Sequence, residues 1–129
     1  MHVAAGRGRD MNKQSSILLF VGDQPVLSSL EFALALDGFE VAEGAAAKDD
    51  ILSAGCLVVD QNYRGDGAAF LAGLRQDGCT APAVLLVTNP TSAFRLRAAA
   101  AGAAVIEKPL LGEELSHALR GKLDRREAA

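Results

Sequence analysis

The sequence predicts an α/β fold, a doubly wound parallel sheet of five strands and five helices. Two observations carry that prediction. Short apolar runs alternate strictly with segments of helical periodicity, strand then helix, across roughly 110 residues. The runs are also apolar throughout, without an alternating polar face, which marks strands covered by helices on both sides.

Residues 1–15 hold Gly, Arg and polar residues without periodicity and are expected to form a flexible N-terminal extension, with Met11 offering an alternative start. The domain itself is expected over residues 16–123. Its first strand is placed at residues 17–21 and ends at Gly22-Asp23. Pro25 suits the first turn of a helix, Leu27, Leu30, Ala33 and Leu34 recur at helical spacing, and Asp37-Gly38 stops the run. Residues 39–42 read as a short second strand, and residues 45–54 hold only a brief second helix.

Cys56-Leu57-Val58-Val59-Asp60 is the central strand, an apolar run that stops at a carboxylate. Phe70, Leu71 and Leu74 mark a third helix ending near Gly78. Residues 83–87 form the fourth strand, with Thr88 at its end; residues 94–101 are an Ala-rich fourth helix and residues 103–107 the fifth strand. Lys108-Pro109 breaks that strand. A last amphipathic helix carries Leu111, Leu115, Ala118 and Leu119 toward Leu123, and residues 124–129 are read as a tail.

The composition narrows the function. A chain of 129 residues is one domain by length, and with aromatics at only 5% its core must be filled by Ala, Leu and Val. A net charge of −3, with neither a basic stripe nor interleaved aromatics, argues against nucleic acid as a partner. Arg120, Lys122, Arg125 and Arg126 suit the negative pole of a solvated helix end. Cys56 and Cys79 lie far apart without a His at ligand spacing, so they read as buried small hydrophobes in a reducing compartment. No run is long enough to span a bilayer, and a cytoplasmic protein without membrane contact is expected.

Asp23, Asp60, Thr88 and Lys108 follow the first, third, fourth and fifth strands. A parallel sheet would gather all four at its carboxyl edge, where open α/β sheets bind ligands. Taken singly, each has a plainer reading. Asp60 could merely end a strand, Thr88 could cap a helix before Pro90, and Lys108-Pro109 could mark a turn. Their common position is what favours a site.

These pieces resemble the receiver domains of two-component response regulators. The resemblance rests on Leu18-Leu19-Phe20-Val21-Gly22-Asp23-Gln24-Pro25, Leu57-Val58-Val59-Asp60, Val84-Leu85-Leu86-Val87-Thr88 and Ile106-Glu107-Lys108-Pro109-Leu110, in that order, over residues 16–122. It implies a flavodoxin-like sheet of order 2-1-3-4-5. It implies Asp60 as phosphoacceptor, with Mg²⁺ held by Asp23, Asp60 and the main-chain carbonyl of Asn62. Thr88 would bind a phosphoryl oxygen and Lys108 would pair with it.

The implied donor is a histidine kinase or a histidine phosphotransfer protein, and the output is contact with an unidentified protein target, a homodimer being one form open to it. The chain would not be an enzyme, but a phosphoacceptor that assists its own phosphotransfer and dephosphorylation. These residue types suit the chemistry. A carboxylate attacking a phosphoryl group is repelled by its charge, so a metal, a Lys cation and a hydroxyl donor must offset that charge.

The chain also departs from the family pattern. Gly22 stands where a second acidic residue is usual, Arg64 where a Pro is usual, and Val105 where an aromatic often changes rotamer. The loop after Asp60 reads one residue short and the second helix is short. Two other readings follow: a pseudo-receiver that binds partners without phosphorylation, and a small flavodoxin-like enzyme. The enzyme reading lacks a cofactor motif. Gly65-Asp66-Gly67 opens a helix after a strand, but Phe70 stands where a dinucleotide fingerprint needs a small residue. No Walker sequence is present, His2 and His117 form no metal pair, and His117 reads as a helix-surface residue.

Overall fold

The computed structural model describes residues 16–46, 51, 54–108 and 118–121. Five strands, β1 (Ser16–Phe20), β2 (Glu40–Glu43), β3 (Cys56–Asp60), β4 (Ala83–Val87) and β5 (Ala103–Glu107), form one sheet of order β2-β1-β3-β4-β5. Every neighbouring pair is parallel. The helices are α1 (Gln24–Leu36), α2 (Gly67–Gln76) and α3 (Ser92–Ala100), and residues 118–121 are also helical. Fold class and strand order agree with the expectation.

The helix inventory differs in one place. Where a brief second helix was expected, the described residues hold a 3₁₀ turn at Gly44–Ala46, and residues 47–50, 52 and 53 lie outside the description. Pro109, Leu111, Leu115 and His117 also lie outside it, as do the N-terminal extension and the tail.

Burial explains why five short runs suffice. Cys56, Leu57, Val58 and Val59 are each 0% exposed, so β3 meets a helix layer on both faces. Successive residues point to opposite faces. Ile17, Leu19, Cys56, Val58, Val84, Leu86 and Ile106 pack with Leu27, Leu30 and Leu34 of α1 and with Leu119. Leu18, Phe20, Leu57, Val59, Leu85 and Val87 pack with Ala68 and Leu71 of α2 and Ala98 of α3. The small side chains let α2 and α3 lie close to the sheet.

Two strands are shifted by one residue from their expected positions, β1 toward the N-terminus and β2 toward the C-terminus. Val21 is buried but lies past the last paired residue of β1, and Phe39 precedes β2 because its N–H closes α1 on Leu34 O at 3.1 Å. The preceding Gly38 adopts φ +95°, the left-handed conformation that this helix ending needs.

The edge of the sheet opposite Asp60 is held by one side chain. Arg75 of α2 donates from Nε to Ala101 O (2.7 Å), from Nη1 to Ala81 O (2.6 Å) and Cys79 O (3.1 Å), and from Nη2 to Gly102 O (3.3 Å). These carbonyls lie in the segments entering β4 and β5, so one guanidinium joins α2, the end of α3 and both strand entries. Hydrogen bonds from a charged donor contribute about 1.5–3 kcal/mol, and removal leaves carbonyls without partners. Arg75→Ala should therefore lower unfolding free energy by about 2–3 kcal/mol in urea titrations, with Arg75→Lys recovering only part. A loss below about 0.5 kcal/mol, typical of ordinary surface changes, would contradict the clamp.

Candidate functional site

The buried strand β3 delivers Asp60 to the carboxyl edge of the sheet. Asp60 is the one polar residue among the buried described residues, at 9% exposure. A carboxylate so placed requires partners, and it has two. Lys108 Nζ lies 2.5 Å from Oδ1, and the Asn62 N–H donates to Oδ2 at 2.9 Å. Lys108 is positioned by β5, and its own N–H donates to Val87 O of β4 at 2.8 Å.

The backbone around Asp60 is crowded for a reason. A Cβ on Gly67 would fall 2.0 Å from Asp60 O, and the Gly67 N–H donates to Gln61 O at 2.8 Å. Only glycine lets the first turn of α2 press against the end of β3 in this way. The glycine that suggested a dinucleotide loop instead sets how closely α2 approaches Asp60.

Thr88 follows β4, and the pairing of Asp60 with Leu86 places it two residues beyond the acceptor's partner. It does not cap the next helix. Thr91 does, its Oγ1 accepting from Phe94 N at 3.0 Å. The Thr88 N–H donates to Gln61 Oε1 at 2.5 Å, and its hydroxyl makes no hydrogen bond among the described residues. Asp23 caps α1 by accepting from Val26 N at 3.2 Å, an exposed position beyond the end of β1. The structure thus joins Asp60 directly to Lys108 and Asn62, links Thr88 to the loop after β3 through Gln61, and leaves Asp23 as a helix cap on the neighbouring strand.

The donors named from the sequence suit Mg²⁺ in kind: two carboxylates from adjacent strands and one carbonyl, all hard oxygens. The Asn62 carbonyl already accepts from Gly65 N at 2.9 Å, which leaves it one lone pair. No cluster of three His, Cys, Asp or Glu suited to a metal occurs among the described residues. Gly22 is exposed, with open space where a Cβ would lie.

The loop also explains its own departures. Arg64, at the usual Pro position, adopts φ +51°, which a proline ring cannot reach. Its guanidinium lies 5.7 Å from the centroid of Tyr63 and 5.5 Å from that of Phe70, two rings that pack with Phe20. Val105 is half-buried in the layer under α2 and α3, with Leu85 as its strand partner.

Sequence reasoning missed Gln61, Gly67 and Arg97. Only the Asp-Gly pair opening a helix signalled any of them. Asp66 caps α2 through Ala69 N (3.2 Å) and receives both Arg97 contacts, at 2.9 and 2.7 Å, which tie the loop after β3 to α3.

Comparison with solved structures gives the same architecture. The chain superposes on a CheY-like response regulator receiver domain protein from Methanospirillum hungatei with TM-score 0.77 at 21% identity, covering 88% of this chain and 97% of that one. A response regulator receiver domain protein from Clostridium thermocellum gives TM-score 0.78 at 20% identity, over 88% and 98%. The beryllofluoride-activated NtrC4 receiver domain dimer gives 0.73 at 18%, over 86% and 98%. No protein-family model and no curated protein matches the chain. The chain has the fold of response regulator receiver domains.

The Asp66–Arg97 pair has a pH signature. The hydrogen bond from Arg97 foremost, then that from the Ala69 N–H, holds the Asp66 carboxyl below its ordinary value of 3.8. A depressed folded-state pKa contributes stability that is complete above the unfolded value and is lost as pH falls through the folded one. Wild type should therefore lose stability relative to Asp66→Asn as pH drops below 3.8, measured by urea unfolding at stepped pH. With side chains 50% and 47% exposed, added salt should shrink the difference. Parallel pH profiles for the two proteins would remove the pair from the stability of this loop.

Proposed function

We propose that this chain is a phosphoacceptor receiver in a two-component phosphorelay, with Asp60 taking the phosphoryl group and output passing through protein contacts. The observation that carries the reading is the Asp60–Lys108 contact at the carboxyl edge of a receiver-fold sheet, 2.5 Å between Nζ and Oδ1. In the reaction, an Asp60 oxygen attacks phosphorus, the P–N bond to the donor's phosphohistidine breaks, and the imidazole leaves with that electron pair and takes up a proton. An acyl phosphate forms.

Lys108 offsets negative charge on the acceptor and on the incoming group, and the Thr88 hydroxyl, without a partner among the described residues, is available to donate to a phosphoryl oxygen. The Asn62 N–H orients the carboxylate. Asp23, Asp60 and the Asn62 carbonyl would hold Mg²⁺, which when bound neutralises charge between nucleophile and phosphoryl group. The donor would be a histidine kinase or phosphotransfer protein. The chain would be a signalling protein that assists its own phosphotransfer, not a turnover enzyme. Among the described residues no helix is long and apolar enough to cross a membrane, in keeping with a cytoplasmic partner.

Gly22 favours a second reading, a pseudo-receiver that engages its partner without phosphorylation, because the acidic pocket lacks one carboxylate.

Incubation with Mg²⁺ and a small phosphodonor should raise the intact mass by one phosphoryl group. That gain should vanish in Asp60→Asn and survive in Asp66→Asn. Label retained by Asp60→Asn would sink the assignment.

A Mg²⁺ titration separates the two readings. Outer-shell partners typically matter by roughly 10–100-fold in metal affinity, so wild type should bind Mg²⁺ more weakly than Gly22→Asp by that order. A Cβ on Gly22 would meet nothing within 4 Å and its φ is not left-handed, so there is space for the substituted side chain to start. Asp23→Asn should weaken binding further. Unchanged affinity in Asp23→Asn would exclude the metal site, and binding by Gly22→Asp alone would favour the pseudo-receiver.

A further inference from the structure

We propose that Gln61 is a positioning residue for this phosphoryl transfer, its side-chain amide setting the place of Thr88 relative to Asp60. The inference rests on reading Asp60 as the phosphoacceptor. Gln61 directly follows Asp60, and its backbone is fixed on both sides. Its N–H donates to Leu86 O of β4 at 2.9 Å, and its carbonyl accepts from Gly67 N at 2.8 Å. Gly67 in turn is packed against Asp60 O so closely that no Cβ fits. The side chain therefore starts from a rigid point beside the acceptor.

From that point Oε1 reaches across 27 residues of sequence to accept from Thr88 N at 2.5 Å. Thr88 is exposed, and water could satisfy its N–H; the amide instead ties the first residue beyond β4 to the acceptor loop. The Thr88 hydroxyl is left without a partner among the described residues, free for a phosphoryl oxygen. Asn89 follows at φ +52°, so the chain turns sharply just past the tie.

The chemistry of the residue matters. A carboxylate here could accept the same hydrogen bond, but it would set a second negative charge beside Asp60 and repel the donor. An amide accepts without charge. With Val105 in place of an aromatic, Gln61 is also the described side chain that connects the acceptor loop to the segment entering α3.

The test uses the full chain as wild type, Gln61→Met, Thr88→Ala and the double variant. Gln61→Met keeps the length of the side chain and removes the acceptor. Phosphoramidate with Mg²⁺ is the phosphodonor, initial labelling is followed by intact mass, and the Thr88 amide by nitrogen-15 NMR. Gln61→Met should label about tenfold more slowly, the cost of a misplaced group, and its Thr88 amide should exchange faster with water. In the Thr88→Ala background the same substitution should add less than about twofold, because its effect runs through Thr88.

Equal labelling by wild type and Gln61→Met overturns the inference. So does a full tenfold loss that persists without Thr88, since Gln61 would then act otherwise. Should Gln61→Met fold poorly, Gln61→Asn, one methylene too short to reach the Thr88 N–H, makes the same comparison. If wild type itself takes no label, the phosphoacceptor reading falls and the inference with it. If wild type labels and the variants match it, only the role of Gln61 falls.

Discussion

A carboxylate at the end of a strand buried on both faces constrains everything around it. β3 is buried along its whole length, and Asp60 closes it while still largely shielded from water. A charge there is stable only with a cation or donors in place, and removing one partner of such a pair leaves the other uncompensated. Lys108 from β5 and the Asn62 N–H meet that demand. β5 runs parallel with β4 between it and β3, so Lys108 leaves the same sheet edge as Asp60 and its long side chain spans the intervening strand.

The two edges of the sheet are held by different means. At the edge away from Asp60, Arg75 gathers four carbonyls from the segments entering β4 and β5. At the Asp60 edge the contacts are separate pairs: Gly67 against Asp60 O, Gln61 on Thr88, and Asp66 on Arg97 of α3. The Asp66–Arg97 pair is half exposed, so it orients α3 against the loop after β3 without locking it.

The departures from the receiver pattern are not of one kind. Arg64 has a structural account: the shortened loop turns through a left-handed residue where proline cannot fit, and the guanidinium covers the Tyr63 and Phe70 rings. Gly22 has none in the packing, since its surroundings are open and its backbone is ordinary. Relative to the receiver pattern it leaves one carboxylate fewer at the end of β1. Val105 removes an aromatic from β5 but leaves the layer under α2 and α3 filled.

Periodicity and apolar runs are local properties, and they alone determined the strands, the class of sheet and the residues brought to its carboxyl edge. β3, β4 and β5 fall where the residues place them, and Asp60, Thr88 and Lys108 follow them as read. The order of the strands came from resemblance, because periodicity carries no information about which strands are neighbours. What only tertiary structure decided were contacts between residues far apart in the chain. The plainer reading of Thr88 as a cap before Pro90 gives way because Thr91 fills that role, and Gln61 reads as a loop residue until its amide meets Thr88 N. Phe70 already counts against a nucleotide motif at Gly67, but only the structure shows Asp60 O where the Gly67 Cβ would be. Hydrogen bonds and close approaches depend on positions in space to within fractions of an ångström, and those positions are set by packing across the sheet.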